Sequence, residues 1–365
     1  GPPLAIEDGA RSVQLADGER RTLRFVVRGT GGVGDAPITL KVDADAGAEP
    51  VHIARESVLP VLPATPLRRE VRRLRLAPGE AATLAPSWFD GYLADSLEVS
   101  LAASGSPPFD LPRLVRDLLD YPYGCTEQTA SAAYPYLLID AAQASELGLP
   151  QASAEQRAAR IESAVARIAG AQKSGGGFSL WDDGAQDVWL TAYVLGFLQD
   201  ARAAGYAVPD AMLARAREWL AARLREAPGR FPQLPAELAA QQPGAAYGEA
   251  DYALVRDSHQ RFAGLAFAGY VLAREERAPL AALRQLYDGF ADRARSPLPL
   301  VQLAAALRLM GDEPRATAAI DAAMARPYGI AAARARYGEW LGDYGSAIRD
   351  QAQAYALMMR HGFAH

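Results

Sequence analysis

The stretch LLDYPYGCTEQTASAAYPY, residues 118–136, holds the single cysteine of the chain, Cys125, with Gln128 three positions on. A lone cysteine is first of all a small buried hydrophobe, and a Cys-x-x-Gln spacing by itself recurs by chance. The flanking residues add to the signal. Pro122 and Gly124 keep residues 121–125 out of a helix, whereas Thr126, Glu127, Gln128 and the Ala/Ser run behind them are compatible with one. Cys125 is therefore expected at the first turn of a helix, where unpaired N–H groups favour a thiolate. At a separation of three, its sulfur and the Gln128 carboxamide meet on one face. A thiolate held against a primary carboxamide can expel ammonia and close an internal thioester, far more electrophilic than an amide yet lasting where water is kept away. Tyr121 and Tyr123, apolar bodies with polar tips, suit the cover of such a bond.

Other chemistries for Cys125 need other partners. A cysteine hydrolase, acyltransferase or transglutaminase requires a histidine beside the thiol, with Gln128 then an oxyanion donor. The chain has four histidines, His52, His259, His361 and His365. Only His259, in LVRDSHQRF, is placed to serve, and its plain reading is a half-exposed helix histidine. An isoprenoid cyclase or prenyltransferase shares an α/α toroid and sometimes a turn such as Gly176-Gly177-Phe178. Such an enzyme needs an acid-rich motif or a Cys/Asp/His zinc site, and neither spacing occurs. WDDG (181–184) reads as a surface turn with Trp181 packed inward. A pure binding module remains if no thioester forms.

The elements that must position Cys125 are legible in outline. At 365 residues the chain exceeds the usual single domain. Half its residues are hydrophobic and 22% charged, ordinary for a globular protein. A net charge of -5 gives no basic footprint for nucleic acid, and no apolar run approaches a membrane span. One cysteine excludes an internal disulfide framework and a Cys-rich metal site; no cofactor is expected. Without an initiator Met, and with Gly1-Pro2 resembling the scar of a cleaved tag, the chain is expected to be an excised piece of a longer protein.

Up to about residue 106, apolar residues alternate between turn signals. RRTLRFVVRGTGG predicts a strand with Leu23, Phe25 and Val27 on one face. DAPITLKVDADAG places Ile38, Leu40 and Val42 likewise, and DSLEVSLAAS places Leu97, Val99 and Leu101. REVRRLRLAPGEAATL reads as a strand and hairpin on Val71, Leu74 and Leu76. Short strands at this spacing imply antiparallel β-sandwich material. The Pro-rich LPVLPATPLRRE (59–70) cannot pair as a central strand and reads as a connector between two small β units. Beyond residue 106 the chain turns Ala-rich and helical. Ser153 with Gln156 is a capping box ahead of Ile161, Val165 and Ile168. Pro209 opens a helix with Leu213, Leu220 and Leu224 inward. Leu300, Leu303, Leu307 and Met310 stripe another that stops at Gly311. About ten helices between 111 and 362, mostly joined by short loops, predict a mainly α fold: an α/α stack, solenoid or closed toroid. The exception is the long irregular stretch 227–248.

YPYGCTEQT resembles the thioester motif of the alpha-2-macroglobulin and complement family, here as Gly124, Cys125, Thr126, Glu127 and Gln128, and is most similar to the bacterial alpha-2-macroglobulins. SGGGFSLWDDG (174–184), VWLTAYVLGFLQDARAAGYAVP (188–209) and GDYGSAIRDQAQAYALM (342–358) are similar to the same family's thioester domain. The resemblance implies a partial macroglobulin-type β-sandwich with linker at 1–66, the first half of a CUB-like domain at 67–106, and an α/α-toroid thioester domain at 107–365, one hairpin short of closure. Its C-terminal helix should then expose a partly apolar face. The resemblance also implies a protease trap rather than an enzyme: a protease cuts a bait segment and the exposed thioester acylates one of its lysines. Cys125 and Gln128 are then the thioester pair. Glu127 either caps the helix N-terminus and tunes the carboxamide or is solvated. Bacterial members are generally periplasmic and often lipid-anchored to the inner membrane, so such an anchor and the other parent domains are implied partners. The complement branch passes the acyl group through a histidine; His259 falls past the loop where that residue is expected.

Overall fold

The computed structural model describes residues 3–45, 50–64, 68–93, 97–99, 101, 103, 111–119, 124–147, 149, 151–235, 237–238, 249–326 and 346–363. They fall into two compact units, Gly1–Pro108 and Phe109–His365.

In the first unit, β1 (Leu4–Glu7) pairs antiparallel with β2 (Val26–Gly29), Leu4 opposite Gly29. A longer hairpin joins β3 (Gly34–Asp45) to β4 (Pro50–Val61), from Gly34 opposite Val61 to Asp45 opposite Pro50. The expected antiparallel material thus takes the form of two two-stranded sheets among the described residues. The alternation on Ile38, Leu40 and Val42 does mark β3. Three local expectations fail. β2 begins only at Val26, so Leu23 and Phe25 lie outside it; residues 68–85 form no strand; and residues 97–99 form none. Val71, Leu74, Leu76 and Val99 stand exposed. Alternation specifies a strand through the burial of one face, and these four side chains bury none. The Pro-rich stretch is also not wholly a connector, since Leu59, Pro60 and Val61 complete β4. In a two-stranded sheet every strand is an edge, so proline is tolerated there.

The second unit contains eleven α-helices with described bounds, against about ten expected. They are α1 (Leu111–Leu119), α2 (Thr126–Leu138), α3 (Ala141–Glu146), α4 (Ala154–Ala171), α5 (Val188–Ala203), α6 (Asp210–Arg225), α7 (Glu249–Ala273), α8 (Leu280–Phe290), α9 (Pro297–Leu309), α10 (Glu313–Met324) and α11 (Ala347–Arg360). Neighbours in sequence pack as helical hairpins: α5 on α6, α7 on α8, α9 on α10. Cross-packing of α2 on α4 and α5, α5 on α7, α7 on α9 and α9 on α11 links the hairpins into an α/α stack. The predicted signals hold locally. Ser153 and Gln156 exchange side-chain and backbone hydrogen bonds at 2.9 and 3.2 Å, and Ile161, Val165 and Ile168 are buried. Leu213, Leu220 and Leu224 are fully enclosed on α6, and Leu300, Leu303 and Leu307 on α9. That helix ends where Gly311 turns to φ 84°, a left-handed conformation that glycine adopts without strain. Ten of the sixteen residues of α5 and eleven of the thirteen of α9 are buried, so these two helices run through the core. On α11, Ala354 and Met358 face inward while Ile348, Tyr355 and Met359 are exposed, as expected of a partly apolar outer face.

Candidate thioester site

Cys125 is the N-cap of α2, in extended conformation (φ -66°, ψ 167°) and 6% exposed. The bond pattern there is a capping box with cysteine in the place of serine. The Gln128 backbone N–H points at Cys125 Sγ, 3.5 Å away, and the Cys125 backbone N–H donates to Gln128 Oε1 at 3.1 Å. Both residues therefore face each other across one turn, as the spacing predicted. The N–H on Oε1 polarises the carboxamide carbonyl towards attack.

The start of α2 is anchored from outside. Thr126 is buried; its N–H donates to the Leu180 carbonyl at 3.1 Å and its hydroxyl to the Ser179 carbonyl at 2.7 Å. Ser179 and Leu180 lie in the turn between α4 and α5, which is itself closely built. At Gly176 (φ 102°) a Cβ would stand 2.5 Å from the Arg215 carbonyl oxygen. Gly177 N–H donates to Gln186 Oε1 at 2.8 Å, and fully buried Phe178 donates its N–H to Thr191 Oγ1 at 2.9 Å. Asp187, N-cap of α5, accepts Leu190 N–H at 2.7 Å, and burial raises its pKa. The Gly-Gly-Phe turn thus serves as a platform for the head of α2. Trp181 does not pack inward as expected; it is 57% exposed, because Phe178 fills the inward position of this turn.

The remaining candidates sort as follows. The Gly124 carbonyl accepts Arg167 Nη2 at 2.7 Å, and a Cβ at Gly124 would overlap that guanidinium. Glu127, half-buried, accepts the Ser131 hydroxyl at 2.5 Å, and Ser131 Oγ lies 2.8 Å from the Tyr193 hydroxyl on α5. Tyr193 stacks on Trp189 with centroids 5.2 Å apart, and burial pushes its phenol up to about 12. Tyr121 and Tyr123 lie outside the described residues. His259 is not half-exposed; on α7 it is 1% exposed. Its Nδ1 accepts the Arg295 backbone N–H at 3.0 Å, and burial lowers its pKa to about 4. The hydrogen bonds around Cys125 and Gln128 come instead from the head of α2 itself, Arg167 and residues 179–180. Among the described residues, no three His, Cys, Asp or Glu side chains gather to hold a metal ion. The motif did not reveal Arg167, Ser131 or Tyr193. Ser131 was accessible from its i+4 spacing to Glu127; the other two are brought in by the fold alone.

This unit of packed helical hairpins, with Cys125 and Gln128 at the head of α2, matches the model of the A-macroglobulin TED domain over residues 94–247. The alpha-2-macroglobulin of Escherichia coli is 36% identical over 97% of this chain, which spans 20% of that protein. The crystal structure of native E. coli alpha-2-macroglobulin from domain MG7 to the C-terminus superposes with a TM-score of 0.73 at 32% identity, covering all of this chain and 54% of that one. Salmonella alpha-2-macroglobulin reacted with methylamine gives 0.73 at 33% identity, over 99% of this chain and 22% of that one. The chain belongs to the bacterial alpha-2-macroglobulin family, as a segment that carries the TED domain. It spans about a fifth of the length of the curated relatives it matches.

Proposed function

We propose that this chain is the thioester-bearing segment of a bacterial protease-trapping inhibitor, with Cys125 and Gln128 as the cross-linking pair. The reciprocal hydrogen bonds between these two residues carry the reading. Closure joins Sγ to the Gln128 carbonyl carbon and releases ammonia. After a protease activates the parent, a lysine amine of that protease attacks the same carbon, forms an amide and frees the thiol. Each centre reacts once and keeps its product, so the parent acts as an inhibitor rather than an enzyme. Residues 1–66 then belong to a macroglobulin-type sandwich with its linker, 67–106 to the first half of a CUB-like domain and 107–365 to the thioester domain. The parent is a periplasmic protein anchored at the inner membrane, and its other domains shield the bond. Support comes from family membership and from the burial of Cys125; for the Salmonella relative, reaction with methylamine is recorded.

The test is intact mass of the freshly purified chain. A thioester makes it lighter by one ammonia, and methylamine should restore mass and expose one thiol. A full-mass chain whose untreated thiol labels at once would sink the proposal.

A further inference from the structure

The N-terminus of α9 is buried, and its capping is incomplete. Ser296 is the N-cap residue, but its side chain makes no capping hydrogen bond. It is 1% exposed, and its hydroxyl has no hydrogen-bond partner. Serine is a strong N-cap because it satisfies an orphan helix N–H, and here the hydroxyl is held out of that role. Pro297 and Pro299 carry no N–H, so Leu298 brings the single N–H of the first three helical positions. Ser258 on α7 is likewise 1% exposed with an unpartnered hydroxyl. It adjoins His259, whose Nδ1 accepts the N–H of Arg295, the residue before Ser296. Both serines thus stand in the seam where α7 packs on the segment leading into α9.

The same segment carries positive charge that is poorly matched. Arg293 ends the short 3-10 turn Ala291–Arg293. Its Nε and Nη1 are buried without a hydrogen-bond partner; the carboxylate it pairs with, Asp292, lies 3.5 Å from Nε and is half in solvent. Arg326, two residues past the end of α10, donates Nη2 to the Ala291 carbonyl at 3.3 Å, while its buried Nε has no partner. Burial and the nearby Arg295 charge lower the Arg326 pKa. Asp350 is a buried carboxylate of this region, and its Oδ1 already accepts Arg349 Nε at 2.9 Å. Buried donors without acceptors, and buried cations without counter-charge, each cost free energy. Five such atoms gather here, and all can donate: Arg293 Nε and Nη1, Arg326 Nε, and the hydroxyls of Ser258 and Ser296. A negatively charged group with several acceptor lone pairs answers all of them. Guanidinium, hydroxyl and a helix N-terminus are the donor types that hold an oxyanion. Arg326 is only half-buried, so the cluster reaches solvent on that side.

We propose that the N-terminus of α9, with Arg293, Arg326, Ser258 and Ser296, is a binding site for a small oxyanion of the phosphate or sulfate type. Its occupancy does not depend on a thioester at Cys125. The experiment uses the 365-residue chain, dialysed into a zwitterionic buffer free of added anions. Phosphate, sulfate and chloride are titrated separately, by calorimetry and by melting temperature. Phosphate and sulfate raise the melting temperature of most proteins by exclusion from their surface, so the reading is the saturable part that variants lose. Wild type should bind phosphate saturably, and sulfate should compete. Arg326→Gln should weaken phosphate binding about 10-fold or more, and Ser296→Ala about 3-fold. Without anion, Ser296→Ala should melt no earlier than wild type, because the lost hydroxyl had no partner; loss of a working cap would lower the melting temperature. Should Arg326→Gln not fold, the phosphate affinity of Ser296→Ala decides. Saturation by chloride alone would make this a halide site and overturn the oxyanion. Equal phosphate affinity in wild type and both variants would place the ion elsewhere on the chain. Wild type that takes up no phosphate saturably overturns the site altogether.

Discussion

The Cys125 N–H donates to the side-chain oxygen of Gln128 while the Gln128 N–H points back at the Cys125 sulfur. One reciprocal pair thus caps a helix with the two side chains that the proposed thioester would join. The two roles separate by mutation. Cys125→Ser keeps a side-chain acceptor at the N-cap, and serine is a strong cap residue. Its melting temperature should match or slightly exceed that of wild type with its thioester opened, and it should show no ammonia loss. Gln128→Ala loses the return bond to the Cys125 N–H. It should cost about 1 kcal/mol in denaturant unfolding and leave the thiol immediately reactive.

Thr126 ties the head of α2 to the turn at Ser179 and Leu180. Thr126→Val is nearly isosteric but leaves the Ser179 carbonyl without its buried donor, at a cost of about 1–3 kcal/mol. Thr126→Ser should recover most of that loss. The thioester-closed fraction, read by mass, should fall in the valine variant and return in the serine variant. An unchanged closed fraction in Thr126→Val would show that the anchor does not set the geometry of the pair.

What the sequence disclosed follows from the range of the interactions. Cys125, Gln128 and the box at Ser153 and Gln156 are contacts within one helical turn, so residue types at fixed offsets specify them. The inward stripe of α6 is specified by period alone, whereas α9 is buried on every face from Pro297 to Leu307, and its predicted stripe is only part of that. Arg167 at Gly124, and Tyr193 at Ser131, bridge 43 and 62 residues, and no local pattern encodes such pairs. Trp181 misleads because hydrophobicity predicts burial, whereas Phe178 already occupies the interior of that turn. The alternating segments around Val71 and Val99 mislead in the same way: their pattern is that of a strand, yet Val71 and Val99 stand exposed.

His259 gives the second unit an acid-side weakness. Burial lowers its pKa from 6.5 to about 4, so the folded state holds it neutral where the unfolded state binds a proton. The unfolded chain therefore binds more protons between pH 6.5 and 4, and stability present above pH 6.5 is lost as pH falls towards 4. At one pKa unit per 1.36 kcal/mol the loss is on the order of 3 kcal/mol. Asp187, raised by burial, acts in the opposite direction, so the comparison is between variants. Urea unfolding at pH 7 and 4.5 should show a steeper loss in wild type than in His259→Gln. Equal losses would mean that His259 does not titrate between folded and unfolded states in this range.

The position of His259 also bears on the choice of nucleophile. Direct attack on a thioester favours amines, even mostly protonated ones, over neutral hydroxyls unless a base or an acyl-imidazole relay assists. A relay histidine must reach the acyl carbon. His259 instead sits on α7, its Nδ1 occupied by the Arg295 N–H, among Arg293, Arg349 and Asp350. The activated parent should therefore form amides with protease lysines and few esters with serines or sugars. Activation by a protease in the presence of labelled putrescine or labelled glycerol measures this directly: putrescine should enter efficiently and glycerol hardly at all. His259→Ala should change neither. Efficient glycerol incorporation that disappears in His259→Ala would place that histidine at the acyl group and require α7 to move on activation. Efficient glycerol incorporation that survives the mutation would show that hydroxyls need no histidine at this centre.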